Sequence, residues 1–303
     1  MEILQPDTWD EALRLKADHP EARPIAGGTD LMVELNFDRT RPPQVLDLTR
    51  VGELTGWAPE NGRLRIGAGV TYTRLIAELG DRLPGLAIAS RTVGSPQIRN
   101  RGTVGGNLGT ASPAGDGLPP LFASDAVVEV GSVRGTRRVP VAEFVTGPKR
   151  NAMAADELIA AFHVAPADAP QQFSKIGTRN AMVIAVASLA LHLWAGERAV
   201  KACIGSAGPT PIRATEAEAF IAGILASEGL WESRAALPAA AVKEFGALVE
   251  AAARPIDDVR ASADYRRAML VVVVARTLAA AAARARGESI PIPASRWAPG
   301  REV

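Results

Sequence analysis

The sequence predicts an α+β protein of two domains, and three observations carry that prediction. At 303 residues the chain is longer than one hydrophobic core usually serves. Its strand-like and helix-like segments are mixed without the regular β-α-β rhythm of a doubly wound sheet. One stretch, Ala165-Pro166-Ala167-Asp168-Ala169-Pro170, carries two prolines and little to bury, and is the best linker. The expected boundaries are 1–166, with subdomains of about 1–55 and 56–166, then 171–287, then a tail at 288–303.

Taken in order, Thr8 with Glu11 forms a capping box, and Trp9, Ala12, Leu13 and Leu15 supply the apolar face of an opening helix that a turn at His19-Pro20 ends. Arg23 to Ala26 reads as a short strand running into Gly27-Gly28-Thr29-Asp30, followed by an apolar segment, Leu31 to Leu35. Val45 to Leu48 reads as a buried strand. Leu64, Ile66, Ala68 and Val70 alternate as a half-buried strand should, and Thr71 caps a helix through Leu79. Leu86 to Val93 is apolar and helical, and delivers the chain to a long glycine loop at Arg99 to Asp116. After Leu118 to Ala123, two strands at Ala126 to Val130 and Thr136 to Val139 join around Gly131 to Gly135. Beyond the linker, Gln172 to Gly177, Met182 to Leu193 and Ala199 to Ile204 form a three-stranded antiparallel sheet. A helical bundle of Ala214 to Leu225, Ala239 to Ala253 and Ala261 to Ala283 completes the second domain.

Composition removes several function classes. A hydrophobic fraction of 47% with 22% charged residues belongs to an ordinary soluble protein, and a net charge of +1 gives no general footprint for nucleic acid. The lone Cys203 excludes a disulfide framework and any cysteine-ligated cluster or zinc site built from this chain alone. His19, His163 and His192 lack ligand-like spacing, so no metal site is expected. His192, between Leu191 and Leu193, reads as a structural strand residue, and no acid or base suited to catalysis stands out. The N-terminus lacks a basic region followed by an apolar stretch. The longest apolar run, Ala268 to Ala275, is cut by Arg276 and is too short to span a bilayer, so a cytoplasmic protein without a membrane span is expected.

The chemistry is concentrated in two glycine-rich stretches. Glycines let a ligand approach the main chain, and successive backbone N–H groups in a tight turn hold anionic oxygens. The run RNRGTVGGNLGTASPAGD at Arg99 to Asp116 has neither the P-loop lysine nor the G-x-G-x-x-G order. With Gly27-Gly28-Thr29-Asp30 as a second loop, the pair suits a diphosphate gripped from two sides, as in a dinucleotide cofactor. Arg99 and Arg101 open the Arg99 to Asp116 run, and at least one of them is expected in solvent.

At this point the sequence resembles a known family, the FAD-binding middle subunit of xanthine dehydrogenase and carbon monoxide dehydrogenase type molybdenum hydroxylases. The resemblance rests on PIAGGTDL from Pro24, VLDLTRVGEL from Val45, LRIGAGVTYTRL from Leu64 and IRNRGTVGGNLGTASPAGDGLPPLFASDA from Ile98. It continues through EFVTGPKRNAMAADELI from Glu143, FSKIGTRNAMVIA from Phe173 and SADYRRAML from Ser262, in the family's order.

The resemblance implies a two-subdomain FAD-binding domain of the vanillyl-alcohol oxidase and p-cresol methylhydroxylase type, followed by the family's small C-terminal domain. It implies diphosphate loops at Ile25, Ala26, Gly27, Gly28, Thr29, Asp30 and Leu31 and at Thr103, Gly105, Gly106 and Asn107. Thr110 and Asp116 match positions near the ribityl chain and isoalloxazine, Leu158 or Ile159 an apolar contact, and Lys175 a lysine near the ring. A fixed cation there would stabilise negative charge on reduced flavin. Two departures stand out: Gly109 where some relatives carry a bulky aliphatic, and Val183 where relatives often carry aspartate. The cysteine-rich insertion of 4-hydroxybenzoyl-CoA reductase relatives is absent.

The implied function is electron transfer within a heterotrimer. Molybdopterin sits on a large partner and two-iron iron-sulfur clusters on a small one, in a dimer of heterotrimers, and FAD passes electrons to an acceptor such as NAD. Xanthine-type oxidation is favoured. The alternatives are a carbon monoxide dehydrogenase or other aromatic or aldehyde hydroxylase subunit, or a self-sufficient flavin oxidase or reductase of the same fold.

Overall fold

The structure is a computed structural model that describes residues 1–288, so most of the expected 288–303 tail lies outside the described residues. In chain order, the first stretch contains β1 (Glu2–Leu4), α1 (Trp9–Asp18), β2 (Arg23–Ile25), α2 (Leu31–Asn36) and β3 (Gln44–Asp47). Then come β4 (Trp57–Glu60), β5 (Arg63–Gly67), α3 (Tyr72–Leu79), α4 (Pro84–Arg91), α5 (Pro96–Arg101), α6 (Val104–Thr110) and α7 (Leu118–Ala123). β6 (Val127–Ser132), β7 (Gly135–Pro140), α8 (Val141–Phe144), β8 (Val145–Gly147), β9 (Arg150–Asn151) and β10 (Leu158–Val164) follow. The last stretch holds β11 (Gln171–Ile176), β12 (Ala187–Trp194), β13 (Ala199–Gly205), β14 (Ile212–Arg213), α9 (Thr215–Ser227), α10 (Leu230–Ser233), α11 (Ala239–Ala252) and α12 (Ala263–Ala285).

These elements form two compact units that interleave along the chain. The first comprises 1–75, 97–112 and 125–166, and the second 76–96, 113–124 and the chain from 167 onward.

The first unit has a small parallel sheet, β1-β3-β2, and a five-stranded antiparallel sheet, β4-β5-β10-β6-β7. Strand β10 is buried along its whole length and reads LIAAFHV, without the alternation that marks a half-buried strand. That is why periodicity alone does not announce it. The β5 strand stops at Gly67, so Ala68 and Val70, expected within it, are buried in the turn that follows. Gly67 must lack a side chain, because a Cβ there would lie 2.2 Å from the Leu54 carbonyl oxygen. The opening helix is capped as expected by Thr8, whose Oγ1 accepts from the Glu11 N–H, but Glu11 reaches back to the Asp7 N–H rather than to Thr8.

The second unit has an antiparallel sheet in the order β11-β12-β13-β14. It has four strands where three were expected. The additional strand is only two residues long, Ile212–Arg213, too short for a sequence pattern. β12 begins at Ala187 rather than Met182, because Met182 takes a left-handed φ of 49° in the turn between β11 and β12.

Alternate residues of β12 serve two faces. Leu189 and Leu191 enter the core with Phe245 of α11 and Leu270, Val273 and Val274 of α12. His192, wholly buried on the other face, has Nδ1 2.9 Å from Ser124 Oγ, and a Cβ on Gly85 would meet its ring at 2.4 Å. That packing fits the structural role expected of it.

Helix α12 is long and apolar enough to cross a membrane by length and composition, with a mean hydropathy of 1.7. The expectation from the short Ala268 to Ala275 run missed this, since the alanines beyond Arg276 extend the apolar stretch. Its apolar side is the inner face of the unit, and Arg266, wholly inside, donates to the carbonyls of Val186 and Ser206 and to Asp258. It is a core helix.

Candidate functional site

The first unit brings the two glycine stretches together. The chain leaves β2 through Ala26-Gly27-Gly28-Thr29-Asp30 and enters α2, with Gly28 at a left-handed φ of 74°. Gly27 has a harder reason to be glycine: a Cβ would lie 2.0 Å from the carbonyl oxygen of Arg101, at the end of α5. The two stretches therefore abut backbone to backbone.

The long loop expected at Arg99 to Asp116 is in fact largely helical. α5 ends at Arg101, Gly102 and Thr103 break it, and Val104-Gly105-Gly106-Asn107 forms the first turn of α6. Thr103 explains the switch, since its extended backbone and its Oγ1, accepting from the Gly106 N–H at 2.8 Å, make an N-cap. Glycine content alone suggested a loop; the cap and the packing of Gly105 override it. A Cβ on Gly105 would stand 2.4 Å from the Ala68 carbonyl oxygen, which fixes α6 against the end of β5.

Two glycines in α6 lack any such packing reason. A Cβ on Gly106 would meet only Thr103 Oγ1 at 3.1 Å, and one on Gly109 only Ile159 Cδ1 at 3.6 Å. Gly106 is exposed. Their bare backbone is a surface that the fold does not itself use. Beside it, Asn107 Oδ1 is buried and has no hydrogen-bond partner among the described residues. A buried acceptor left unpaired is costly, and a hydroxyl-bearing ligand would satisfy it.

The surroundings hold this surface in place. Asn151 Nδ2 donates to the Gly109 carbonyl at 2.8 Å, the Lys149 N–H donates to the Ala111 carbonyl, and Lys149 Nζ reaches Glu34 Oε1 of α2 at 2.6 Å. That hydrogen bond is the main reason the Glu34 carboxyl sits below its usual range. Of Leu158 and Ile159, both buried in β10, Ile159 is the one whose side chain borders the space over Gly109. Neighbouring strand residues point to opposite faces, which separates the two. Arg101 is exposed and Arg99 buried, so one of the two flanking arginines is in solvent as expected.

Asp116 and Lys175 lie in the second unit, paired to each other. Lys175 Nζ donates to Asp116 Oδ2 at 2.5 Å and to the carbonyls of Thr92 and Val183 at 3.0 Å each. All three ammonium hydrogens are thus committed. Both side chains are only 9% exposed. Burial pushes the Asp116 carboxyl up against the downward pull of Lys175, and its Oδ1 is buried without a partner among the described residues. Val183, where relatives often carry aspartate, contributes its carbonyl, and a Cβ on Gly177 would collide with its side chain at 2.3 Å.

Sequence reasoning missed Glu34, Ala68, Lys149 and Asn151. Ala68 carries no signal, since it acts through its backbone. Asn151 lies inside the matched run GPKRNAMAADELI, where an asparagine after a basic turn was the only hint.

Two abutting glycine segments, an uncovered helical backbone and an orphaned buried acceptor suit an extended ligand bearing phosphates and hydroxyls. Residues 1–167 match the model of the FAD binding domain in molybdopterin dehydrogenase, and residues 172–281 that of the CO dehydrogenase flavoprotein C-terminal domain. The chain belongs to this family of FAD-binding molybdenum hydroxylase subunits.

It is 36% identical over 220 residues to the putative xanthine dehydrogenase FAD-binding subunit XdhB of Escherichia coli K12, covering 70% of this chain and 75% of that one. It is 35% identical over 240 residues to the nicotinate dehydrogenase FAD-subunit of Eubacterium barkeri, covering 73% and 79%. Among solved structures, the reconstituted CO dehydrogenase from Oligotropha carboxidovorans superposes with a TM-score of 0.84 at 27% identity, covering 94% of this chain and 98% of that one. The residues present fit FAD, and FAD is the cofactor of this chain.

Proposed function

We propose that this chain is the electron-passing flavoprotein subunit of a xanthine-type molybdenum hydroxylase. Its electrons would come from a purine oxidised on a large molybdopterin-bearing subunit, through two-iron clusters on a small subunit, and leave to NAD, in a cytoplasmic dimer of heterotrimers. Bound FAD supplies the redox chemistry by accepting electrons and releasing them as a pair. The 36% identity to a xanthine dehydrogenase FAD-binding subunit supports the purine assignment.

The observation that carries the cofactor's placement is the bare backbone at Gly106 and Gly109 next to the unpaired Asn107 Oδ1. In this reading the Ile25 to Leu31 segment, Thr103 and Gly105 hold the diphosphate through main-chain N–H groups, while Gly106, whose N–H is donated to Thr103 Oγ1, lets the diphosphate come close to the backbone. Thr103 Oγ1 already accepts from Gly106, so its contribution is its one hydroxyl hydrogen. Asn107 and Thr110 receive hydroxyl groups, and Ile159 supplies an apolar wall. Asp116 and Lys175, to which the resemblance gives a flavin-side role, form in the second unit a pair with each other rather than a lone cation.

The test is purification from the native host with an affinity tag on this chain. A large molybdenum-containing chain and a small iron-sulfur chain should copurify, and the complex should reduce NAD with xanthine while the isolated chain, reducible by dithionite, leaves xanthine untouched. Prompt bleaching of the isolated flavin by xanthine would overturn the assignment of substrate oxidation to a partner.

A further inference from the structure

In the second unit, β12, α9, α10 and α12 line a partly open pocket of about 230 Å³ that includes none of the glycine segments. Leu191, Ile221, Leu225, Leu230 and Leu278 give it an apolar wall. Three polar side chains of the lining bear on what it takes. The indole N–H of Trp231 is buried and has no acceptor among the described residues. An unpaired buried donor is costly unless a ligand supplies the acceptor.

Arg234 and Arg284 also line the cavity. Arg234 donates one Nη1 bond to the Ala285 carbonyl, and Arg284 donates from Nε to Gln172 Oε1. Neither has a carboxylate partner among the described residues, and the rest of each guanidinium fork is left over. Asp168, the one carboxylate of the lining among the described residues, accepts from the Gly196 N–H at 2.9 Å.

An apolar chamber with an orphaned donor and two guanidinium groups that have no carboxylate partner among the described residues is complementary to an amphipathic anion. We propose that this cavity binds a small monocarboxylate, its hydrocarbon part against the leucine wall and its carboxylate received by the Trp231 N–H and the arginines. A dry cavity of about 150 Å³ accepts benzene, so this larger one suits an apolar body of about six to eight carbons. Guanidinium recognises a carboxylate through parallel N–H bonds, which gives the site its preference for acids over alcohols or amines.

Octanoate and benzoate are the probes, titrated by calorimetry into the full-length, FAD-loaded chain, with octanol and octylamine as comparators. One equivalent of a carboxylate should bind saturably and raise the melting temperature. Binding should shift the indole N–H resonance that disappears in Trp231→Phe, while octanol binds at least about tenfold more weakly.

Arg284→Gln should remove the preference for acid over alcohol, and Ala282→Phe, which places a ring in the chamber, should abolish binding while flavin content and folding persist. No saturable binding to the unaltered chain would overturn the proposal. So would equal affinity for octanol and octanoate, or binding that survives Ala282→Phe.

Discussion

Single glycines in this protein do two different kinds of work, and substitution separates them. At Gly27 a methyl group would fall 2.0 Å from the Arg101 carbonyl oxygen, inside atoms that are themselves fixed backbone. Gly27→Ala is expected to destabilise the first unit by about 1–3 kcal/mol or more, read in chemical denaturation. At Gly106 the added group would meet only one side-chain atom, Thr103 Oγ1 at 3.1 Å, and no fixed backbone. Gly106→Val should leave the unfolding free energy within about 1 kcal/mol of the parent, since valine is no poorer a helix former than glycine, yet collapse flavin occupancy. An unchanged flavin-to-protein ratio would show that this backbone faces something other than the cofactor.

Lys175 tests charge in the same way. Its removal strands Asp116 in a buried site, so Lys175→Ala is expected to cost about 3–5 kcal/mol, whereas the double substitution Lys175→Met with Asp116→Leu should recover most of that loss. If the single and double variants were equally unstable, the pair would not be the unit that matters.

At the scale of elements, the five-stranded sheet carries a charged cluster on β5, β6, β7 and β10. Glu129 receives Arg65 Nη2 at 2.7 Å and faces His163 Nε2 at 2.7 Å, with Arg138 at 3.5 Å. Burial works to raise the Glu129 carboxyl, but the hydrogen bonds from Arg65 and His163, and their charges, outweigh it, and the net shift is downward from 4.5. A carboxyl lowered in the folded state contributes stability in full above its unfolded value and loses it as pH falls through the folded one. The stability gap between the parent and Glu129→Gln should therefore be widest near neutral pH and close progressively below about pH 4.5. Urea denaturation of both chains across that range is the check, and a gap independent of pH would remove Glu129 from the acid limb.

For the whole molecule, the inventory of nucleophiles decides how the cofactor is held. Cys203 is buried in the sheet of the second unit, and burial pushes its thiol far up, so the reactive thiolate is suppressed. Among the histidines, His163 and His192 are interior and neither glycine segment contains a histidine, cysteine or tyrosine. FAD is accordingly expected to be noncovalent. Acid precipitation should release all of the yellow colour into the supernatant, and colour retained on the precipitated chain would contradict it.

The sequence by itself determined the family, the cofactor, the α+β class and the position of both glycine segments, because these reside in short local motifs. Thr103 stood out in the sequence by its place among the glycines, but not as the cap that turns an apparent loop into α6. Only the packing of Gly105 on Ala68 decides that, since helical propensity in a run of glycines is too weak to do so. The alternation of Leu189 and Leu191 with His192 was visible in the chain, yet which side met helices depended on partners distant in sequence. Lys175 was recognisable as a residue of interest, whereas its commitment to Asp116, Thr92 and Val183 joins positions up to 83 residues apart. Local patterns fix what each segment can become. Which backbone stays bare for a ligand, and which charges offset each other, are settled by long-range contacts that no single segment encodes.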